Sequence, residues 1–219
     1  MANTGWTTPG NTADMGGGTA ARNDWQDTDN IKTADTSYAS NASTTENDDI
    51  SNFLAGTNFG FAIPAGSTID GIMVRMRVDV DDADNVRDET IKIIKNGTIL
   101  GDNYSASAQW EGLPTYHTFG SSTALWGLGT PTAADINNVN FGFAIQYEQT
   151  ERSDIPPGNS KVDVFEMDIY YTEPEGTGFQ VNIGDSWKSV DGMQINIGDS
   201  WKAVAGAQVN IGDTWKTIF

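Results

Sequence analysis

His117 is the only imidazole in the chain, so a Ser-His-Asp arrangement would have to be built on it, and a multi-histidine metal centre has no ligands to draw on. Its setting, Pro114-Thr115-Tyr116-His117-Thr118-Phe119, has the composition of a loop or strand edge. No Gly-x-Ser-x-Gly nucleophile turn occurs in the sequence, which favours a structural or exposed His117 over a general base. There is no cysteine, which removes thiolate nucleophiles, thiolate metal sites and disulfides together.

The densest carboxylate run is Asp79, Asp81, Asp82, Asp84, Asp88 and Glu89. Calcium needs several carboxylate oxygens on a bendable loop, and this run supplies them. It departs from the EF-hand pattern, because counting from Asp79 puts Ala83 at the fifth position and Asp84 where glycine belongs. A calcium loop and a solvated acidic connection both remain open; Asp24, Asp27 and Asp29 form a weaker second cluster. With 30 acidic residues some pair will always stand at a glycosidase-like separation, and no spacing singles one out. Gly16-Gly17-Gly18 lacks the Lys-Ser/Thr of a phosphate loop. The expectation is therefore a protein with no catalytic residue, no cofactor and no metal site.

Twelve basic residues against 30 acidic ones leave a net charge of −18, which opposes nucleic acid and anionic membrane surfaces as partners. The opening Met1-Ala2-Asn3-Thr4-Gly5-Trp6 has neither a basic region nor an apolar stretch, and no long apolar run follows, so neither a signal peptide nor membrane insertion is expected.

The elements that would position these groups are strands. Glycine and proline are abundant, as are the turn formers Asn, Asp, Ser and Thr, while Leu and Lys are scarce. The first fifty residues read as long polar loops with short strands near Asn30 to Lys32 and Ser37 to Ser40; Trp6 and Trp25 imply that part of this layer packs down. Phe59, Phe61 and Ile63 alternate with Gly60 and Ala62 before Pro64-Ala65-Gly66, which predicts a strand ended by a turn. Ile72, Val74, Met76, Val78 and Val80 form the clearest one-faced strand, with Met73, Arg75, Arg77 and Asp79 opposite.

Thr90 to Lys95, then Asn96-Gly97, then Thr98 to Leu100 predicts a hairpin with a type I′ turn. Phe141, Phe143, Ile145 and Tyr147, and later Phe165, Met167, Ile169 and Tyr171, predict two more strands, with a helical turn within Thr132 to Asn138. Seven or eight strands with turn-rich connections describe an all-β protein, a jelly-roll-like β-sandwich over residues 1–174. Residues 175–179 then read as an acidic Pro/Gly linker that begins at Glu173-Pro174.

Residues 180–219 are an internal repeat. Gln180-Val181-Asn182-Ile183-Gly184-Asp185-Ser186-Trp187-Lys188 recurs from Gln194 and again from Gln208, a period of 14 residues. Each unit predicts a minimal β-hairpin turning at Gly-Asp-Ser/Thr. So short a unit cannot bury enough apolar surface alone, so the repeats must pack on each other, on the sandwich, or on other copies. Trp187, Trp201 and Trp215 either form the core of this module or make a row of indoles that meets a sugar or a partner surface. Lys188, Lys202 and Lys216 read as solvated strand ends.

Two sets of residues carry a family resemblance. Leu54, Phe59-Gly60-Phe61, Ile63-Pro64, Gly66, Ile69 and Gly71-Ile72, followed by Leu125-Trp126-Gly127, Ile136-Asn137, Phe141-Gly142-Phe143 and Val162-Asp163 to Tyr170-Tyr171, look like a jelly-roll domain of tailed-phage and prophage structural proteins, over roughly residues 20 to 172. The Gly-Asp-Ser-Trp-Lys units resemble tandem repeats carried at the ends of phage virion and tail proteins. The resemblance implies a virion component, either a head decoration, head-fibre or tail/fibre protein, and carries over no catalytic residue.

The expected function is assembly and surface display, with capsid or tail proteins of the same particle as partners and a homo-oligomer, a trimer by preference. The alternative is a receptor- or carbohydrate-binding adhesin that contacts host surface glycans.

Overall fold

The computed structural model describes residues 1–19, 24–42, 49–80, 86–149 and 159–174, and in the C-terminal segment the backbone of six strands. The chain divides into two compact units, Met1–Glu173 and Pro174–Phe219. In chain order the first unit contains β1 (Ala2–Asn3), β2 (Asn11–Asp14), a 3-10 turn at Thr28–Ile31, β3 (Ala39–Ala42), β4 (Asp49–Ile50), β5 (Leu54–Thr57), β6 (Thr68–Val80) and β7 (Val86–Lys95). There follow β8 (Thr98–Leu100), β9 (Thr115–Ser121), the short helix α1 (Ala133–Ile136), β10 (Gly142–Gln149) and β11 (Asn159–Thr172).

These strands make two antiparallel sheets. In the first, β1 and β3 lie along one side of β11, followed by β6 and β9; in the second the order is β2, β5, β10, β7, β8, with β4 also on β10. The pairing is nested. Asn96 and Gly97, both at positive φ (53° and 78°), make the two-residue turn that joins β7 to β8, as Asn-Gly predicts. Around that hairpin β6 pairs with β9, β5 with β10 and β3 with β11, so the chain passes back and forth between sheets, which is the winding of a jelly-roll sandwich.

The alternation read from β6 is what closes the core. Ile72, Val74, Met76, Val78 and Val80 are buried, and so are Phe143, Ile145 and Tyr147 from β10 and Phe165, Met167 and Ile169 from β11. β10 differs from β6 in that its second face is covered too, since all of its residues are buried. Its far face carries Ala144, which packs in a second small cluster with Ala55 and Ile94. It also carries Gln146, whose amide donates to the carbonyls of Ser51 (2.9 Å) and Gly17 (3.2 Å). Centrality in a six-stranded sheet, covered by the N-terminal segment, explains the difference.

At Gly142 the approach of β5 leaves no room for a side chain, because a Cβ there would stand 1.9 Å from the Gly56 carbonyl oxygen. Gly142→Ala should lower stability by about 2–3 kcal/mol through a clash with backbone that cannot swing away. Equilibrium urea unfolding measures this, and a loss within error of zero would contradict the stated strand spacing.

Two expectations fail here. Residues 58–63 are not a strand: Asn58 (φ 59°) and Gly60 (φ 72°) break the extended backbone, and the strand stops at Thr57. Phe59 and Ile63 are nonetheless buried, because the Asn137 side chain stands in for a neighbouring strand, donating to Ile63 O and accepting from Ile63 N, both at 2.9 Å. The N-terminal fifty residues contribute edge strands to both sheets: the strand expected near Ser37 to Ser40 is present as β3, the one expected near Asn30 to Lys32 is replaced by the 3-10 turn Thr28–Ile31, and β1 and β2 are additional. Trp6 is held there by Arg75, whose guanidinium stacks 4.3 Å from the indole and 4.5 Å from Tyr116 while its Nε donates to Glu166 (2.7 Å). The expected helical turn is present as α1, started by a capping box between Thr132 and Asp135.

Candidate functional site

In the C-terminal unit, β12 (Gln180–Ile183) pairs with β13 (Ser186–Ser189), β14 (Gln194–Ile197) with β15 (Ser200–Ala203), and β16 (Gln208–Ile211) with β17 (Thr214–Thr217), all antiparallel. The connecting residues 184–185, 198–199 and 212–213, where the Gly-Asp turns are expected, lie outside the described residues. The register is the same three times. Asn182 is opposite Trp187, Asn196 opposite Trp201 and Asn210 opposite Trp215, while Val181, Ile195 and Val209 are opposite Lys188, Lys202 and Lys216. Because positions alternate across a strand pair, the tryptophan positions share a face with the asparagines, and the Val/Ile positions share the other with the lysines. A single strand pair of this register therefore cannot gather its Trp, Val and Ile positions on one face.

Several chemistry-bearing residues of the sandwich come together around Asp88. A register shift between Gln146 and Tyr147 leaves Glu89 as an extra residue in β7 and puts Asp88 opposite Tyr147. Asp88 is fully buried. Its Oδ2 accepts from Ser105 Oγ and from the Ala106 amide, each at 2.8 Å, and its Oδ1 stands 3.9 Å from Nδ1 of His117, which projects from β9. Tyr147 packs against Trp110 and Trp25 at 5.6 and 5.5 Å between ring centres, and its hydroxyl donates to Asn41 Oδ1 at 2.7 Å.

Serine, aspartate and histidine are thus neighbours, but in the wrong order for a triad. The carboxylate sits between the other two, so the Ser105 proton is held by Asp88 rather than offered to the imidazole. Burial lowers the pKa of His117 from its ordinary 6.5, outweighing the opposite pull of Asp88 and Glu111. A depressed histidine means that the unfolded chain takes up the proton first. The stability that His117 contributes is full above 6.5 and lost as pH falls through that value toward the lower folded one. Urea midpoints at pH 7.5 and 5.5 should fall less for His117→Gln than for the parent; an equal fall would remove His117 as the cause.

Of the acidic run, Asp81, Asp82 and Asp84 lie outside the described residues, and Asp88 is buried in the sandwich. Among the described residues no cluster of three or more His, Asp or Glu side chains is arranged to hold a metal ion. No sequence signal marked Asp88 for burial, since the bulge that turns it inward has no residue signature. Comparison of the chain with protein families, with curated proteins and with solved structures gives no match.

Proposed function

We propose that this chain is a non-enzymatic structural component of a bacteriophage particle, a head decoration, head-fibre or tail/fibre protein, that acts by assembly and surface display. The observation that carries the reading is the threefold strand pair with apolar positions on both of its faces. Two four-residue strands are marginal at best in water, and apolar positions on both faces ask for cover on both. Other copies of the chain, with a trimer favoured, or capsid and tail proteins of the same particle would supply it. A net charge of −18 keeps the copies mutually repelling until they dock and disfavours nucleic acid as a partner. The resemblance of residues 20–172 to phage jelly-roll domains supports the same location, the virion.

Light scattering across a concentration series, on the full chain and on a chain ending at Glu173, tests this. The full chain is expected as a trimer that Trp201→Ala dissociates, and the shortened chain as a monomer. Monomers throughout, with no co-sedimentation on purified phage heads or tails, would overturn the reading. A second reading, contact with host surface glycans, has its own support in an uncharged cleft on the sandwich beside Phe61 and Tyr171.

A further inference from the structure

A cleft of about 290 Å³ opens on the sandwich between the N-terminal segment and the loop that precedes β6, lined by Asn3, Thr4, Thr7, Ile63 and Tyr171 together with residues 60–62. No charged side chain among the described residues lines it. Asp168, outside this lining, is buried and holds two of its members: Oδ2 accepts from the Asn3 amide at 2.9 Å and Oδ1 from the Thr4 hydroxyl at 3.2 Å. The Thr4 hydroxyl also accepts from the Ile169 amide at 3.0 Å, so the two N-terminal residues are fixed in place rather than left to wander.

That commitment leaves Asn3 with a carbonyl oxygen and a second amide hydrogen for a ligand. In the same lining, the backbone N–H and C=O groups of Gly60, Phe61 and Ala62 have no partner among the described residues, because the positive φ of Gly60 takes this stretch away from both sheets. Phe61 and Tyr171 are half-buried, with part of each ring on the core and part toward solvent. The threonine hydroxyls are engaged, Thr4 as above and Thr7 donating to the Met167 carbonyl at 3.1 Å, so the lining offers the Asn3 amide, the peptide groups of residues 60–62 and two half-buried aromatic rings, which suit a molecule dense in hydroxyl groups and with apolar C–H faces. A neutral sugar has both.

We propose that this cleft is a binding site for a neutral saccharide. The proposal rests on the glycan-contact reading above and is independent of the assembly one. Saturation-transfer NMR on the full chain, with methyl glycosides of glucose, galactose and N-acetylglucosamine as probes and glucuronate and galactose sulfate as charged controls, tests it. The neutral probes are expected to receive saturation and the charged ones not.

Ala62→Arg, at an exposed position, should abolish the signal by filling the cleft. Tyr171→Phe, which removes only a hydroxyl, should weaken binding about fivefold, the scale of one hydrogen bond. Unchanged thermal midpoints would show that both variants fold. Binding that survives both substitutions would keep glycan contact but overturn this cleft, as would stronger binding of the charged controls. No binding of any probe would overturn both.

Discussion

Trp126→Ala should destabilise the sandwich by about 3–5 kcal/mol, the largest single loss expected from a core truncation here. The indole is fully buried, stacks on Tyr104 at 4.2 Å between ring centres, and donates from Nε1 to the Ile72 carbonyl of β6 at 2.9 Å. It is reached through an unusual backbone: Trp126 itself has φ 54°, and Gly127 follows at 67°. Gly120 makes the space, since a Cβ there would stand 2.3 Å from Ile72 O and 2.9 Å from the indole nitrogen. Truncation therefore empties a volume that three elements enclose and leaves the strained turn without its anchor. For a unit of this size the loss corresponds to a melting-point drop on the order of 10 °C. A drop of less than about 3 °C would mean that the turn, not the indole, holds this end of the core.

Asp163→Ala should cost about 3 kcal/mol by a different route, leaving charge and donors unpaired rather than leaving a hole. Asp163 is the extra residue of a bulge in β11, where Val162 pairs with Val78 and Val164 with Arg77. Its carboxylate is fully buried. Oδ1 accepts from the amides of Asp35 (3.1 Å) and Thr36 (2.8 Å), and Oδ2 lies 2.7 Å from Arg77 Nε, off the N–H direction, as an ion pair. Thr36, a β-branched residue at φ 71°, depends on that carboxylate to hold its backbone. Loss of the side chain should release residues 33–38 as well as destabilise the fold, so limited proteolysis of Asp163→Ala is expected to cut there before the unit unfolds. If the segment stays protected, Asp163 is not what fastens it. Replacing Arg77 with Met in the same chain should recover part of the loss, because the uncompensated cation is then gone.

What could be read in the sequence and what could not divide along physical lines. Alternation over five or more residues, as in Ile72 to Val80, and a turn with a specific dihedral demand, as at Asn96-Gly97, are local properties and appear in the structure where expected. The stretch Phe59 to Ile63 kept its alternation and lost its strand, because a side chain, Asn137, makes the bonds that a neighbouring strand would make. The inward turns of Asp88 and Asp163 depend on bulges, which are decided by how two distant segments come into register. The edge strands of the first fifty residues borrow their order from β11 and β5 and carry little pattern of their own. The cleft beside Tyr171 joins residues from opposite ends of the sandwich sequence, and no local signal links Asn3 to Phe61. The 14-residue period was legible at once, and the strand register added the separation of its Trp and Val/Ile positions onto two faces.

The pairing of Ala2 with Tyr171 means that the sandwich begins and ends at neighbouring rungs of one ladder. A pull between the two ends of this unit therefore loads the β1–β11 hydrogen bonds one at a time, along their own length, instead of sharing the load across a row of them. Mechanically the unit opens like a zip from its N-terminal strand, and what yields first is the edge that also carries Asn3 and Thr4. The same closeness lets the termini be joined by a short linker and the chain be reopened elsewhere, for instance at the turn between β7 and β8, without crossing either sheet.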